Sequence, residues 1–432
     1  MARGLTPRVV LGEHGAPAVL DLAPSEADAL RAASAEWQRR LGLRDAPFAV
    51  GSEGDRTAIV ARHVTGVVRV AGLDVEVVPK FLGDPSTPGW RAALWRILTV
   101  VDADTATLSL TAAEVTDAAS FADLVADAFV RSYRLGSARG LPRSYRETAS
   151  SGPVLRGSLD VSRIGEWLAR PWSVPAIVDE LSEDTDVARL LRWAAHELAG
   201  AVVSNRRAQA LRDVVAALPY AAGRPRRRPR LGVQHLALAP AVRIGLLLAE
   251  GRGLEHGPAD AELGGFLWRS DDVYERFLFH LCTVAGRVLG LRAEKRAIRF
   301  AVPVTPGIPA LFTTPDIVLR DPRGDAVVVV DAKYKVLGAT PRAQDVYQVL
   351  TGAHALRCGR AALAYPVSAE VPERRWRSTW PDDAPAVEVT ALPLPILRAA
   401  TPDGMASLVS RLVTYVRSQP AAAVSVPTAS ST

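Results

Sequence analysis

Two carboxylates and one lysine surround a predicted β-hairpin in the C-terminal half of the chain. Apolar, β-branched runs at residues 313–319 and 326–330 flank a polar turn that contains proline and glycine. Asp316 lies in the first run, Asp331 follows the second, and Lys333 comes two residues later. Because side chains alternate faces along a strand, Asp331 and Lys333 share a face, and the hairpin can bring Asp316 beside them. This combination is typical of a hard divalent cation bound beside a hydrolytic water.

A structural ion pair at a strand end is the alternative interpretation of Asp331 and Lys333. The run at 327–330 is wholly apolar, which favours a central and buried strand. Charged groups directly after such a run are costly unless they are paired or bound to a metal. We therefore favour a metal site and keep the ion pair open as the alternative.

The elements that must position these residues follow from apolar periodicity and turn signals. A helix is predicted over residues 270–289, with Glu275 in its first turns. The predicted order around the hairpin is α-β-β-β-α-β. Besides the hairpin strands, it contains a strand at 298–302, a helix at 341–356, a strand at 361–365 and a late strand at 386–389.

Several strings around the hairpin resemble a known nuclease family. Residues 315–316 and 331–333 read Pro-Asp and Asp-Ala-Lys, which resembles the PD-(D/E)xK nuclease signature. The longer string Asp-Ala-Lys-Tyr-Lys at 331–335, followed by Asp-Val-Tyr-Gln at 345–348 and Ala-Tyr-Pro at 364–366, resembles the McrC family. Members of that family are the nuclease subunits of modification-dependent restriction systems of the McrBC type.

The resemblance covers most of residues 45–395, closely in the nuclease part and loosely before it, and implies an α/β fold with an α+β N-terminal part. It predicts a C-terminal PD-(D/E)xK restriction-endonuclease-like domain, preceded by a small β-rich domain and a helical middle region. The expected division is 1–120 for a β-rich domain that engages a partner, 121–262 for the helical region, 263–400 for the nuclease domain, and 401–432 for a helix and a disordered tail. Within the first segment, a hairpin at 66–78 is the expected partner-engaging element.

The resemblance also implies roles for the charged residues. Asp316, Asp331 and the carbonyl of Ala332 would hold Mg²⁺, for which Mn²⁺ can substitute, and Glu275 would complete the metal site. Lys333 would orient or deprotonate the attacking water and meet negative charge in the transition state.

Contacts to DNA are predicted at three places. Gln348 would reach the site or a base edge, although the tyrosine that many related nucleases carry four residues later is Gly352 here. Lys335 would meet a phosphate. The run at 224–230 contains five arginines and two prolines. It is either a phosphate-binding loop or a solvated linker, and its central residues are Arg226, Arg227 and Arg228.

Composition describes an ordinary globular chain of 432 residues, 48% hydrophobic and 23% charged, with a formal charge of +6. The charge permits nucleic acid as a partner without requiring it. Two distant cysteines without metal-ligand spacing, Cys282 and Cys358, argue against a disulfide framework or a zinc site and fit a reducing cytoplasm. The seven histidines are scattered, and none suggests a ligand by its position near a motif. There is no signal-peptide core, no apolar run of the roughly 20 residues that span a bilayer, and no GxxxxGK[ST] loop.

The function these observations favour is a Mg²⁺-dependent DNA endonuclease subunit that acts on methylated or otherwise modified DNA. The resemblance implies that it works with a hexameric AAA+ GTPase of the McrB type, and the missing GxxxxGK[ST] loop means that any nucleotide energy would come from another subunit. One alternative is a self-sufficient nuclease of the same fold in DNA repair or processing. Another is a non-catalytic adaptor that stimulates an AAA+ motor, which the intact Asp316, Asp331 and Lys333 disfavour.

Overall fold

The computed structural model describes residues 8–70, 73–101, 120–219, 229–249, 264–305, 307–379 and 386–418. None of the helices in these ranges is both long and apolar enough to cross a membrane. The α-helices of the described residues are α1 (Pro24–Leu41), α2 (Trp90–Val101), α3 (Phe121–Ser137), α4 (Ile164–Ala169), α5 (Asp186–Ala201), α6 (Asn205–Ala217), α7 (Ala239–Ala249), α8 (Ser270–Leu289), α9 (Ala343–Ala355) and α10 (Pro402–Arg417).

The strands of the same ranges are distributed along the whole described chain. They are β1 (Arg8–Gly12), β2 (Ala18–Leu20), β3 (Phe48–Glu53), β4 (Arg56–Ala61), β5 (Val64–Val70), β6 (Leu73–Val78), β7 (Ser144–Gly152), β8 (Ser158–Leu159), β9 (Val174–Ser182), β10 (Gly264–Arg269), β11 (Arg292–Glu294), β12 (Ile298–Ala301), β13 (Leu311–Thr313), β14 (Ile317–Arg320), β15 (Ala326–Ala332), β16 (Arg360–Val367), β17 (Arg374–Arg377) and β18 (Glu388–Pro395).

Two compact units divide the chain. Unit 1 comprises Met1–Gly66, Leu73–Ala103 and Leu267–Thr432, and unit 2 comprises Val67–Gly72 and Asp104–Phe266. The division differs from the predicted segments, because the N-terminal strands share unit 1 with the C-terminal part. The chain leaves unit 1 after residue 66 and finally returns at residue 267. The functional roles expected for the predicted segments stay predictions.

A six-stranded sheet in the order β11-β14-β15-β16-β18-β17 forms the centre of unit 1 and is called the central sheet here. β14 and β15 pair antiparallel, which confirms the predicted hairpin, whereas β15, β16 and β18 run parallel. The predicted strand at 298–302 is present as β12, but it does not belong to the central sheet. β12 instead pairs with β13 in a separate two-stranded sheet, and β11 takes the edge beside β14.

Helix α9 covers one face of the central sheet. Its buried Val349 and Ala353 pack in one apolar cluster with Val329 of β15 and with Leu363 and Tyr365 of β16. Because strand residues alternate faces, Asp331 lies on the same face as Val329. The helix and the carboxylate are therefore brought together by the packing of the core.

A second sheet of four strands, in the order β1-β6-β5-β10, contains the predicted hairpin at 66–78 as β5 and β6. β6 is buried at all six positions and pairs parallel with β1. Its Glu76, fully buried, forms ion pairs with Arg8 and Arg91. This hairpin is thus an internal part of the sheet and offers little surface at β6.

The middle of the chain is less purely helical than predicted. In unit 2, helices α3, α5, α6 and α7 pack together around buried side chains such as Leu124, Phe129, Leu190 and Leu211. A three-stranded sheet in the order β7-β9-β8 also lies in this unit. β7 reads Ser-Tyr-Arg-Glu-Thr-Ala-Ser-Ser-Gly and is exposed along most of its length, so it carries no apolar alternation by which a strand is recognised.

Candidate functional site

The hairpin of β14 and β15 places two carboxylates at one of its ends. Ile317 pairs with Val330 in register, so Asp316, just before β14, stands across from Asp331 in β15. The backbone N–H of Ala332 donates a hydrogen bond of 2.8 Å to Asp316 Oδ2. Asp316 directly precedes β14, which begins at Ile317 and not at the predicted residue 313, because Pro315 has no N–H to donate to a strand.

Lys333 lies among acceptors on the face that α9 covers. Its Nζ forms an ion pair with Asp331 Oδ2, donates a 2.9 Å hydrogen bond to Gln348 Oε1, and lies 3.7 Å from Asp345 Oδ1. Both Asp331 and Lys333 are buried. The structure thus brings Asp316, Asp331, Lys333 and Gln348 together, as the sequence predicted.

Asp345 is a member of this cluster that the sequence analysis quoted in a motif but did not assign. It lies in the first turn of α9 and is buried, and its Oδ1 accepts a 2.7 Å hydrogen bond from Lys335 Nζ. The signal that could have found it is its spacing from Gln348, because residues three apart on a helix share a face. Lys335, predicted to meet phosphate, is half exposed while it makes this bond.

The electrostatic environment favours protonation of one carboxyl group. Burial, followed by the nearby charge of Asp316, raises the pKa of Asp331 to about 6, although Lys333 opposes this rise. The Tyr365 hydroxyl is also buried, and its pKa rises to about 12 because of burial and of the charges of Asp345 and Asp331. The negative charges of the aspartates around Asp331 and Tyr365 therefore lie close together where little water reaches them.

The donor atoms of this cluster fit a hard divalent cation. Asp345 Oδ2, Asp331 Oδ2 and the Tyr365 hydroxyl are buried oxygens without a hydrogen-bond partner, although Asp331 Oδ2 is ion-paired with Lys333. Carboxylate and other oxygen donors are the ligands that Mg²⁺ and Mn²⁺ prefer. Asp316 and Asp331 face each other across the hairpin, and their roles as metal ligands, like that of the Ala332 carbonyl, stay predictions.

Glu275, the further predicted metal ligand, forms an ion pair with a lysine. The Glu275 carboxylate is ion-paired with Lys295, and this bond raises the lysine pKa, with a smaller contribution from Asp316. The Glu275 carboxylate is thus bound to Lys295 near Asp316, and its role as a metal ligand stays a prediction.

The central residues of the arginine run, Arg226, Arg227 and Arg228, lie outside the described residues.

Gly352 replaces the expected tyrosine for a steric reason. A Cβ atom at this position would come within 2.9 Å of Pro315 Cγ. Helix α9 therefore packs directly against the loop that carries Asp316, and a tyrosine does not fit there.

Comparisons with known proteins agree with this architecture. A chain from a refined half-complex of a tetradecameric assembly of Thermococcus gammatolerans McrB AAA+ hexamers with bound McrC shares the fold, with a TM-score of 0.68 and 17% identity. That match covers 94% of this chain and 100% of the other. A chain from the cryo-EM structure of the Thermococcus gammatolerans McrBC complex has a TM-score of 0.46 and 19% identity, with coverage of 64% and 88%.

No curated protein matches the chain. The family described as the McrBC 5-methylcytosine restriction system component matches residues 59–366, which is more than half of the sequence. The chain belongs to the McrBC 5-methylcytosine restriction system component family.

Proposed function

We propose that this protein is the Mg²⁺-dependent DNA endonuclease subunit of a McrBC-type modification-dependent restriction system. The observation that carries this proposal is the cluster of Asp316, Asp331 and Lys333, held by the β14–β15 hairpin and α9 in a member of this family. The arrangement of α8, the hairpin, the parallel β16 and α9 supports a PD-(D/E)xK nuclease core.

Each residue of the cluster has a task in phosphodiester hydrolysis. Asp316 and Asp331 would hold the metal, which supplies Lewis acidity and lowers the pKa of a bound water. Lys333 presents its Nζ toward negative charge that develops on the phosphate, and Gln348 holds that Nζ in place at 2.9 Å. Asp345 balances the positive charges of Lys333 and Lys335.

The proposed partner is a hexameric AAA+ GTPase of the McrB type. The structural neighbour is described as McrC bound to McrB hexamers, and this chain shares its fold over 94% of its length. The predicted contact through the hairpin at 66–78 is poorly supported, because β6 is buried at every position. Deletion of this hairpin would remove core residues and would not test partner contact cleanly.

An apolar surface in unit 2 is a better candidate for that contact. Leu168 of α4 and Trp172, just before β9, are exposed by 77% and 72%. Large exposed apolar side chains of this kind mark protein–protein contacts, with tryptophan prominent among residues that contribute most to binding. We call Leu168 and Trp172, four residues apart just before the start of β9, the apolar surface of unit 2.

Cleavage of modified DNA with Mg²⁺, the partner and GTP tests the proposal. Asp331→Ala should abolish cleavage, whereas the control Asp325→Ala, in the exposed turn of the same hairpin, should leave it unchanged. Full cleavage by folded Asp331→Ala would contradict the assignment of the site, and stimulation of the partner without any cleavage by the natural chain would support the adaptor alternative. Equal cleavage without the partner would support the self-sufficient nuclease.

A further inference from the structure

Two histidines that are far apart in sequence meet beside a buried glutamate in unit 1. Glu13 and His14 follow β1, and His63 lies in the turn between β4 and β5. The two imidazole rings are 4.8 Å apart between centroids, edge to face. One donor atom from each of the three residues lies within 4.8 Å of the others. The sequence analysis expected no ligand role for any histidine, because only tertiary structure brings these two together.

One oxygen of Glu13 is a buried acceptor aimed at this group. Glu13 Oε2 accepts hydrogen bonds from the Tyr334 hydroxyl and, at 3.1 Å, from the Lys80 backbone N–H. Its Oε1 has no hydrogen-bond partner and lies 3.9 Å from His14 Nε2, while the side chain as a whole is fully buried. A buried carboxylate oxygen without a partner is costly, so its orientation toward the histidines calls for a positively charged ligand.

The backbone at both histidines is in an unfavourable conformation. His14 has φ of 57° and His63 has φ of 59°, in the left-handed region that β-carbon-bearing residues rarely adopt. Backbone hydrogen bonds hold both positions, from His14 N–H to the Ala61 carbonyl at 2.8 Å and from Ser270 N–H to the His63 carbonyl at 3.2 Å. Strained conformations of this kind cluster at functional sites.

We propose that Glu13, His14 and His63 form a binding site for one divalent transition-metal ion of the zinc class. Glu13 Oε1 and one nitrogen of each imidazole are the ligands, and water completes the coordination. Two imidazoles and a carboxylate suit zinc and its neighbours better than they suit Mg²⁺.

The geometry must contract slightly when the ion binds. Tetrahedral ligands at zinc distances are about 3.3 Å apart, which is less than the 4.8 Å limit found here. Both histidines are exposed, so rotation of their rings can close the gap.

Nearby positive charge opposes the binding of a cation at this place. Lys80 and Arg62 both act electrostatically on His14. The Lys80 ammonium is stabilised over the Tyr334 ring at 3.9 Å, which favours its staying there beside a bound cation.

An ion at this place would fix the end of β1 to the segment directly after β15, which carries Lys333 and Tyr334. Glu13 contacts the ion through Oε1 and Tyr334 through Oε2, and Tyr334 directly follows Lys333. The site is thus distinct from the Asp316–Asp331 cluster but is mechanically connected to it.

Zinc titration of the tag-free full chain, stripped of metal by a chelator, tests the proposal. We expect the chain to bind one Zn²⁺ ion at this site. When Co²⁺ replaces Zn²⁺, we expect the visible absorption spectrum that is typical of four-coordinate Co²⁺. His14→Asn and His63→Asn should each weaken Zn²⁺ binding by at least about tenfold. Asparagine is chosen because it tolerates the left-handed backbone. His196→Asn, on the exposed face of α5, is the matched control and should bind Zn²⁺ as the natural chain does.

Asp331→Asn separates this site from the candidate nuclease metal site. The zinc site should persist in Asp331→Asn, because none of its ligands is changed. Absence of Zn²⁺ binding by the natural chain, unchanged binding by both histidine variants, or loss of binding in Asp331→Asn alone would overturn the proposal. Because the readout is metal binding, it is independent of whether the chain cleaves DNA.

Discussion

Charge balance at the level of single residues favours a metal site over an ordinary ion pair. Three carboxylates, Asp316, Asp331 and Asp345, face two ammonium groups, Lys333 and Lys335. The excess of negative charge in a buried place is what a divalent cation would relieve. A purely structural pair would instead be expected to balance its charges, since an unbalanced buried charge destabilises the fold.

The pKa of Asp331 predicts how stability depends on pH when metal is absent. Because its folded pKa is about 6, above the ordinary 3.8, the folded chain keeps a proton that the unfolded chain releases between these values. This proton makes its whole contribution to the free energy of unfolding below about pH 4, and the contribution is lost as the pH rises through about 6. The free energy of unfolding falls by on the order of 3 kcal/mol over this range.

Urea unfolding in a chelating buffer from pH 4.5 to 7.5 measures this effect. Asp331→Asn has a similar shape but does not titrate, so it should lack this part of the pH dependence. The difference in unfolding free energy between the natural chain and Asp331→Asn should therefore change with pH in favour of the variant. Parallel curves for the two chains would show that the pKa of Asp331 is ordinary.

Gln348 provides a test of positioning within the proposed mechanism. Gln348→Ala removes the 2.9 Å hydrogen bond to Lys333 Nζ and should lower the cleavage rate about 10- to 100-fold, with DNA affinity nearly unchanged. Unfolding free energy should fall by no more than about 1.5 kcal/mol, because Lys333 keeps its contact with Asp331. Gln344→Ala, exposed on the same helix, is the control and should cleave normally. A fall in affinity without a fall in rate would make Gln348 a DNA contact instead.

At the level of elements, the contact between α9 and the Pro315 loop decides the geometry of the site. Gly352→Ala would gain about 1 kcal/mol of helix propensity. It would also place a methyl group 2.9 Å from the rigid proline ring, which costs about 1–3 kcal/mol. We expect a net loss of stability and a slower cleavage rate, as α9 and Gln348 move away from Lys333.

Gly165→Ala is the matched control for that substitution. It lies in helix α4 of unit 2 and has open space around the added methyl group. Helix propensity then acts alone and should raise the stability of unit 2 by up to about 1 kcal/mol. If Gly352→Ala is also stabilising in a thermal unfolding scan, α9 does not pack against Pro315 as described.

At the level of the whole molecule, the apolar surface of unit 2 is expected to contact the partner. Leu168→Asp and Trp172→Asp should reduce stimulation of partner GTP hydrolysis at least about tenfold, because they place charge in a desolvated contact. Stability should change by less than about 0.5 kcal/mol, since both side chains are exposed. Val233→Asp, 84% exposed elsewhere in unit 2, should stimulate normally. Unchanged stimulation by both variants would place the partner contact on another surface.

The amino-acid sequence determined the features that depend on neighbouring residues. Apolar periodicity located α8, α9 and the β14–β15 hairpin, and strand alternation placed Asp331 beside Lys333. These predictions were confirmed because a hairpin and a helix face are set by contacts between residues close in the chain. The same reasoning failed for β7, whose polar sequence has no apolar pattern.

Tertiary structure decided the features that depend on residues far apart in the chain. Glu13 and Tyr334, 321 positions apart, share a hydrogen bond, and the N-terminal strands therefore join the C-terminal part in one unit. His14 meets His63 in the same way. Periodicity describes which face of an element is apolar, but it does not say which distant face will cover it. That choice depends on the packing of complementary surfaces throughout the unit.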